Sequence, residues 1–293
     1  MWRYNVRNLP ELFKTRLTLG LLPVTAGISL CLASQATLAQ DDLSIGGGLT
    51  VVGQTISEET LADGYDPNDT TNEVDGTRVN YSIDVEFEKE MESGTVFVYL
   101  IGAEGDAVFD GVNADAEGGD FQDQLVGVAE AWYAHSMFDE MLTFTIGKID
   151  PTGIYDGNEV ANDQSTQFLA DVFVNNSAIL FPAYTPGMNL TMAFGEMADV
   201  SFGVFEDTET DDFTRNRAGE FEKAFVIGEL GLHYEVFDND GNFRMTVWDS
   251  GANERNGFAF NLDQGFGFDF FRIYSRLGFI GDTVDDPDAP ETE

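Results

Sequence analysis

Amides and carboxylates crowd residues 147–187, which read G-K-I-D-P-T-G-I-Y-D-G-N-E-V-A-N-D-Q-S-T-Q-F-L-A-D-V-F-V-N-N-S-A-I-L-F-P-A-Y-T-P-G. Lys148, Asp150, Asp156, Asn158, Asn162, Asp163 and Gln167 supply closely spaced donors and acceptors there. Arg244, Arg272 and Arg276 add positive charge to a chain with only 14 basic residues against 53 acidic ones. Such groups hold a polar solute through hydrogen bonds and charge, without breaking its bonds. Bond-breaking motifs are missing: the sequence holds no G-x-S-x-G elbow, no H-E-x-x-H and no phosphate-binding P-loop. A carboxylate pair at glycosidase distance arises by chance among so many acids, so it carries no weight. His135 and His233 are the only histidines, and His233 shares a strand face with Glu229 and Glu235. It reads as a polar wall residue rather than a metal ligand. Asp238-Asn239-Asp240-Gly241 opens like a calcium loop, lacks the later ligands, and reads as a hairpin turn. Neither a metal nor another cofactor is expected, beyond loose divalent-ion binding by the acidic stretch Asp63 to Asp75.

The elements that must position these groups are strands. Arg78 to Lys89 reads R-V-N-Y-S-I-D-V-E-F-E-K, with Val79, Tyr81, Ile83, Val85 and Phe87 on one parity and Asn80, Ser82, Asp84, Glu86 and Glu88 on the other. Side chains of a strand alternate between faces, so this one has an apolar side and a wet side. Roughly ten such residues, tilted, cross a bilayer. Eleven strands are expected, near 43–56, 78–91, 94–104, 125–137, 141–149, 188–196, 200–206, 224–237, 242–249, 256–264 and 268–281. Val226, Leu230, Leu232, Tyr234 and Val236 oppose Glu229, His233 and Glu235; Leu142, Phe144 and Ile146 oppose Thr143 and Thr145. Phe258, Phe260 and Leu262 oppose Asn261 and Asp263, while Phe271, Ile273, Leu277 and Phe279 oppose Arg272, Tyr274 and Arg276. Segments 94–104 and 125–137 are apolar on both parities in places.

Tight turns such as Glu92-Ser93-Gly94 alternate with the long acidic connections 57–77, 105–124 and 207–223. Short turns on one rim and long loops on the other describe a bacterial outer-membrane barrel. A soluble β-sandwich also alternates, but its strands average about five or six residues, and 25 Phe residues suit lipid better than one packed core. Segment 147–187, about 40 residues long, is either functional or disordered by length. Its aromatics and prolines argue for order, with a short helix over 164–174 carrying Phe168, Leu169 and Val172. Folded inward it would narrow a lumen; the alternative is an external loop packed on its own aromatics.

Residues 1–39 read as an export signal. Arg3, Arg7, Lys14 and Arg16 precede the apolar stretch Leu17 to Leu32, and Thr37 and Ala39 stand at −3 and −1 of a cleavage site. Leu30 before Cys31 argues against lipidation, and the mature chain has no cysteine. The signal carries four of the basic residues and Glu11 alone among the acids, leaving ten against 52, a net charge of −42. That field repels nucleic acid and attracts cations. It also suits an acidic protein from a salty habitat. Past the signal no apolar run nears the roughly 18 residues of a membrane helix. A closed barrel is then the one way to satisfy the chain's backbone in lipid.

Gly147-Lys148-Ile149-Asp150-Pro151, Asp156, Asn158, Ala161-Asn162-Asp163, Thr166-Gln167-Phe168-Leu169, Phe173-Val174-Asn175-Asn176 and Pro182, in that order and spacing, resemble the central block of the carbohydrate-selective porins, the OprB-type family. Leu262-Asp263-Gln264 with Phe271 to Gly278 resembles the family's late strands, so the likeness covers roughly 78–281. It implies a transmembrane antiparallel β-barrel in the outer membrane, of about sixteen strands, passing small carbohydrates passively. With eleven strands and the acidic tail Asp285 to Glu293, residues 40–293 read as an incomplete barrel domain lacking about five strands, the alternative being a divergent chain that does not close alone. The expected lining is Lys148, Arg244, Arg272, Arg276, Asp150, Asp156, Asn158, Asn162, Asp163 and Gln167, cations and carboxylates together gripping vicinal hydroxyls. Tyr155 and Trp132 are candidates to stack on sugar faces, although anchoring at the lipid interface is the commoner role of a barrel Trp or Tyr. The expected partners are small carbohydrates and outer-membrane lipid. A cation-preferring porin of the same fold is the second reading, and a secreted soluble all-β carbohydrate-binding protein or hydrolase the third.

Overall fold

The computed structural model describes residues 14–24, 27–40, 42–56, 76–105, 126–163, 167–168, 171–207, 223–236, 238–267 and 271–281. Among these residues, thirteen strands form a single sheet in sequence order. They are β1 Lys14–Val24, β2 Gly27–Gln40, β3 Leu43–Ile56, β4 Gly76–Met91, β5 Gly94–Gly105, β6 Gly127–Met137, β7 Leu142–Ile149, β8 Thr185–Phe194, β9 Ala198–Glu206, β10 Ala224–Val236, β11 Asn239–Ser250, β12 Arg255–Gly265 and β13 Arg272–Ile280. Every neighbouring pair is antiparallel. Among the described residues the sheet is open, with β1 and β13 at its margins. The eleven strands expected from alternation are β3 to β13. Strands β1 and β2 lie in the segment read as an export signal, with β2 paired to β3 along its length.

The faces fall as alternation dictates. On β4, Ile83 is 53 % exposed while its neighbour Ser82 is 1 % exposed. Leu190, Val200, Phe202, Val247, Phe258, Leu277 and Phe279 continue the exposed apolar face across β8 to β13. No second sheet covers it among the described residues, which separates this architecture from a sandwich. A continuous exposed apolar wall is what a sheet facing lipid presents. The other face carries the buried polar set Asn189, Ser201, Glu229, Thr246, Asn261 and Asp263.

Several details depart from the pattern. The pairing of β5 with β6 slips between Tyr99 and Leu100, so Ala129 is the extra residue of a bulge. A bulge switches parity along its own strand, which is why 125–137 reads as apolar on both faces; β5 keeps its parity and is apolar on both, with Tyr99 and Ile101 buried and Val96 exposed. The hairpin between β10 and β11 turns two residues before Asp240-Gly241: Val236 pairs with Asn239, and Asp238 takes a left-handed φ of 55° that aspartate tolerates. The rim of long connections has a short member, residues 251–254 between β11 and β12. There Asp207 Oδ2 accepts from Ser250 Oγ at 2.7 Å and Ala252 N at 2.9 Å. The described helix of segment 150–184 is one turn, Asp171–Val174 (α1), shorter than the expected 164–174. Residues 164–166 and 169–170 of that expectation lie outside the described residues, as do 57–75, 106–125, 208–222 and the acidic tail.

Candidate functional site

Segment 150–184 leaves β7 and lies against the polar face of the sheet. Asp150 starts it: its carboxylate accepts from Thr152 N at 2.9 Å and Thr152 Oγ1 at 2.8 Å, capping a 3-10 turn with Pro151 at its first position. An apolar seat follows. Tyr155 is fully buried, its ring meets Phe205 edge-on at 6.2 Å, and its hydroxyl donates to Asn189 Oδ1 at 2.5 Å. Ile149, Ile179, Phe225, Ile227, Trp248 and Ala259 complete the cluster. The inward parity is therefore apolar where the segment covers it. Tyr155 is packing, not a platform for a solute. Trp132 stays half-buried, stacked on Phe97 at 4.9 Å with Nε1 donating to Glu130 Oε2 at 3.0 Å.

Asp156 comes next and gathers most of the polar contacts. Its φ is +57°. Its amide donates to Glu229 Oε2 on β10 at 2.7 Å. Its carboxylate accepts from Asn261 Nδ2 on β12 at 2.9 Å and from Asn176 N, farther along the segment, at 2.9 Å. Arg276 of β13 places Nε 2.7 Å from Asp156 Oδ2 and donates through Nη2 to the Asp156 carbonyl at 3.0 Å and through Nη1 to the Phe173 carbonyl at 2.7 Å. Asn158 Nδ2 donates to Asn261 Oδ1 at 2.6 Å, and Glu159 N to Asp263 Oδ2 at 3.2 Å. Burial pushes the Asp156 carboxyl up to about 6; the Arg276 cation opposes that rise and the Glu229 carboxylate adds to it. Burial likewise raises Glu159, with Arg272 pulling the other way.

The remaining cations of this wall are matched too. Arg244 lies 2.8 Å from Glu229 Oε1 and 3.5 Å from Asp199 Oδ2. Arg272 reaches Asp263 Oδ1 at 3.0 Å. His233 sits between Asp199 Oδ1 at 2.6 Å and Asn242 Oδ1 at 2.7 Å. Across the segment the charge balance changes. A cavity of about 170 Å³ separates it from β3 to β6, and Asp84, Glu86, Glu130, Asp150 and Asp163 line it with no lysine or arginine. Lys148 donates to the Val128 carbonyl at 2.7 Å and stands outside that lining.

Of the residues expected from sequence, Asp156, Asn158, Arg244, Arg272 and Arg276 come together on one wall. Asp150 and Asp163 face the other, while Asn162 and Gln167 form an exposed turn in which Asn162 N donates to Gln167 Oε1 and Gln167 Nε2 to the Glu159 carbonyl at 3.1 Å. Sequence reasoning had not singled out Glu229, Asn261, Asp263 and Asn176 as members of the site. The first three already stood on the polar parity of their strands, which is the signal that would have found them.

An antiparallel meander with one exposed apolar face and a long connection folded over its polar face is a porin-type sheet. OprB of Pseudomonas putida, in a structure determined at high pH, matches it with a TM-score of 0.56 at 12 % identity, over 76 % of this chain and 60 % of that one. At that identity the likeness is one of fold. An uncharacterized protein of Aquifex aeolicus (strain VF5) is 39 % identical over 57 residues, 20 % of this chain and 18 % of that protein. The chain thus spans less than two thirds of the length of either. No protein-family model matches it.

Proposed function

We propose that this chain forms the wall of an outer-membrane channel of the porin type, delivered by its N-terminal export signal, through which small carbohydrates diffuse passively. One observation carries the reading: segment 150–184 is tied to the polar face by Asp156, Asn158 and Arg276, while the opposite parity of the same strands is apolar and exposed. A connection held across a lumen restricts diameter and presents hydrogen-bonding groups, the two quantities that set passive selectivity. The sugar preference rests on the likeness of the central block and on Asp150, Asn162, Asp163 and Gln167, which offer carboxylates and amides to hydroxyl groups. In planar bilayers, purified protein should give discrete conductance steps that millimolar sugar reduces.

The acidic cavity favours a second reading, a lumen that prefers cations. A salt gradient separates the two. A reversal potential set by the cation, with current indifferent to sugar, would assign the channel to the second class; sugar block assigns it to the first.

A further inference from the structure

Segment 150–184 touches two walls, and its distance from one fixes its distance from the other. On the side of β10 to β13 it is tied by hydrogen bonds and ion pairs; on the side of β3 to β6 the cavity begins, with Asp150 and Asp163 on its lining. We infer that Asp156 is the pin that sets the width of this passage, a positioning residue for the channel; the inference rests on the channel reading. Asp156 binds three strands at once, through Glu229, Asn261 and Arg276, and its carboxylate also takes Asn176 N, closing a stretch of twenty residues on itself. The contacts are two-sided. Arg276 in turn holds the Phe173 carbonyl, and Asn176 Nδ2 donates to the Leu277 carbonyl at 3.2 Å, so the outgoing and returning limbs share one anchor on β13.

Backbone geometry points the same way. Asp156 holds a left-handed φ of +57° in a non-glycine residue, a conformation that persists where surrounding contacts over-determine it. Asp156 is 2 % exposed and the Arg276 side chain 7 %, so removing either strands a buried partner. Water then enters behind the segment to solvate Arg276 and Glu229, and the barrier between the two walls becomes mobile.

The test uses the full chain refolded in detergent and placed in bilayers, as wild type and as Asp156→Asn, Asp156→Ala and Arg276→Gln. Heat-modifiable migration on gels confirms that each variant has folded, and Asp156→Asn, isosteric with the native residue, guards against loss of the alanine variant. The pin predicts noisier single channels with conductance raised at least about twofold, and entry of larger neutral polyethylene glycols. Unchanged or lower conductance and an unchanged polymer cut-off in folded variants overturn it, even if the melting temperature falls. A wild type without conductance overturns the channel reading instead. Chymotryptic cleavage at Phe168 and Phe173 then decides the pin: faster cutting in the variants upholds it, equal cutting refutes it.

Discussion

Asp156 has donors on three sides and, on the fourth, the carboxylate of Glu229. Its folded pKa, about 6, stands above the ordinary aspartate value of 3.8. The folded chain therefore binds this proton more tightly than the unfolded chain does. The contribution of Asp156 to stability is greatest below about pH 4 and declines as pH rises through 6. A shift of that size corresponds to about 3 kcal/mol across the window. Denaturant unfolding in detergent at pH 4 to 7 should show it: the wild-type curve loses stability relative to Asp156→Asn as pH rises. Parallel pH profiles for the two proteins would contradict this. The asparagine comparison matters because fifty-three acidic residues give the whole chain a pH dependence of its own. Nothing local marks Asp156 in the sequence. It is one acid among several in the segment, and its partners Asn261 and Arg276 are 105 and 120 positions away.

A strand is a local object, and so the strands were readable. Alternation over Arg78 to Lys89 placed Ile83 and Ser82 on opposite faces without reference to any other residue, and their exposures, 53 % and 1 %, agree. The same reasoning fails at β6, since the extra residue Ala129 shifts parity and only the partner strand reveals it. It fails again at Phe225, Ile227 and Trp248, apolar residues on the inward parity, whose cover comes from a segment many residues distant. A test of the outward face follows at this scale. Phe202 sits in the middle of β9 at 52 % exposure. Phe202→Arg should cost about 2–4 kcal/mol of folded stability in lipid vesicles, near the cost of a cation at the bilayer midplane. Phe202→Leu should be nearly neutral. Equal stabilities for the two variants would mean that this face does not meet hydrocarbon.

At the scale of the chain, the described strands form one sheet that does not close on itself, under a strongly negative field. A sheet margin in lipid leaves backbone N–H and C=O groups without partners, so a closed wall requires that each margin find a strand to pair with. The reading of residues 1–39 as an export signal bears directly on which strand is marginal. Cleavage after Ala39 removes β1 and nearly all of β2 and leaves Leu43–Ile56 at the edge. N-terminal sequencing of protein extracted from outer membranes should then begin at Gln40. A protein that retains Lys14 to Ala39 in the membrane keeps all thirteen strands and ends the signal reading.

The sequence alone determined strands β3 to β13, the face each side chain takes where no bulge intervenes and the sign of the field, because these depend on neighbours one or two positions apart or on simple sums of charge. The tertiary structure decided that segment 150–184 folds onto the polar face, that Arg244, Arg272 and Arg276 each meet a carboxylate there, and that an acidic gap remains on the opposite side. Those outcomes depend on which strands the sheet brings round the segment. Pairings across a hundred residues leave no periodic trace in the chain that makes them.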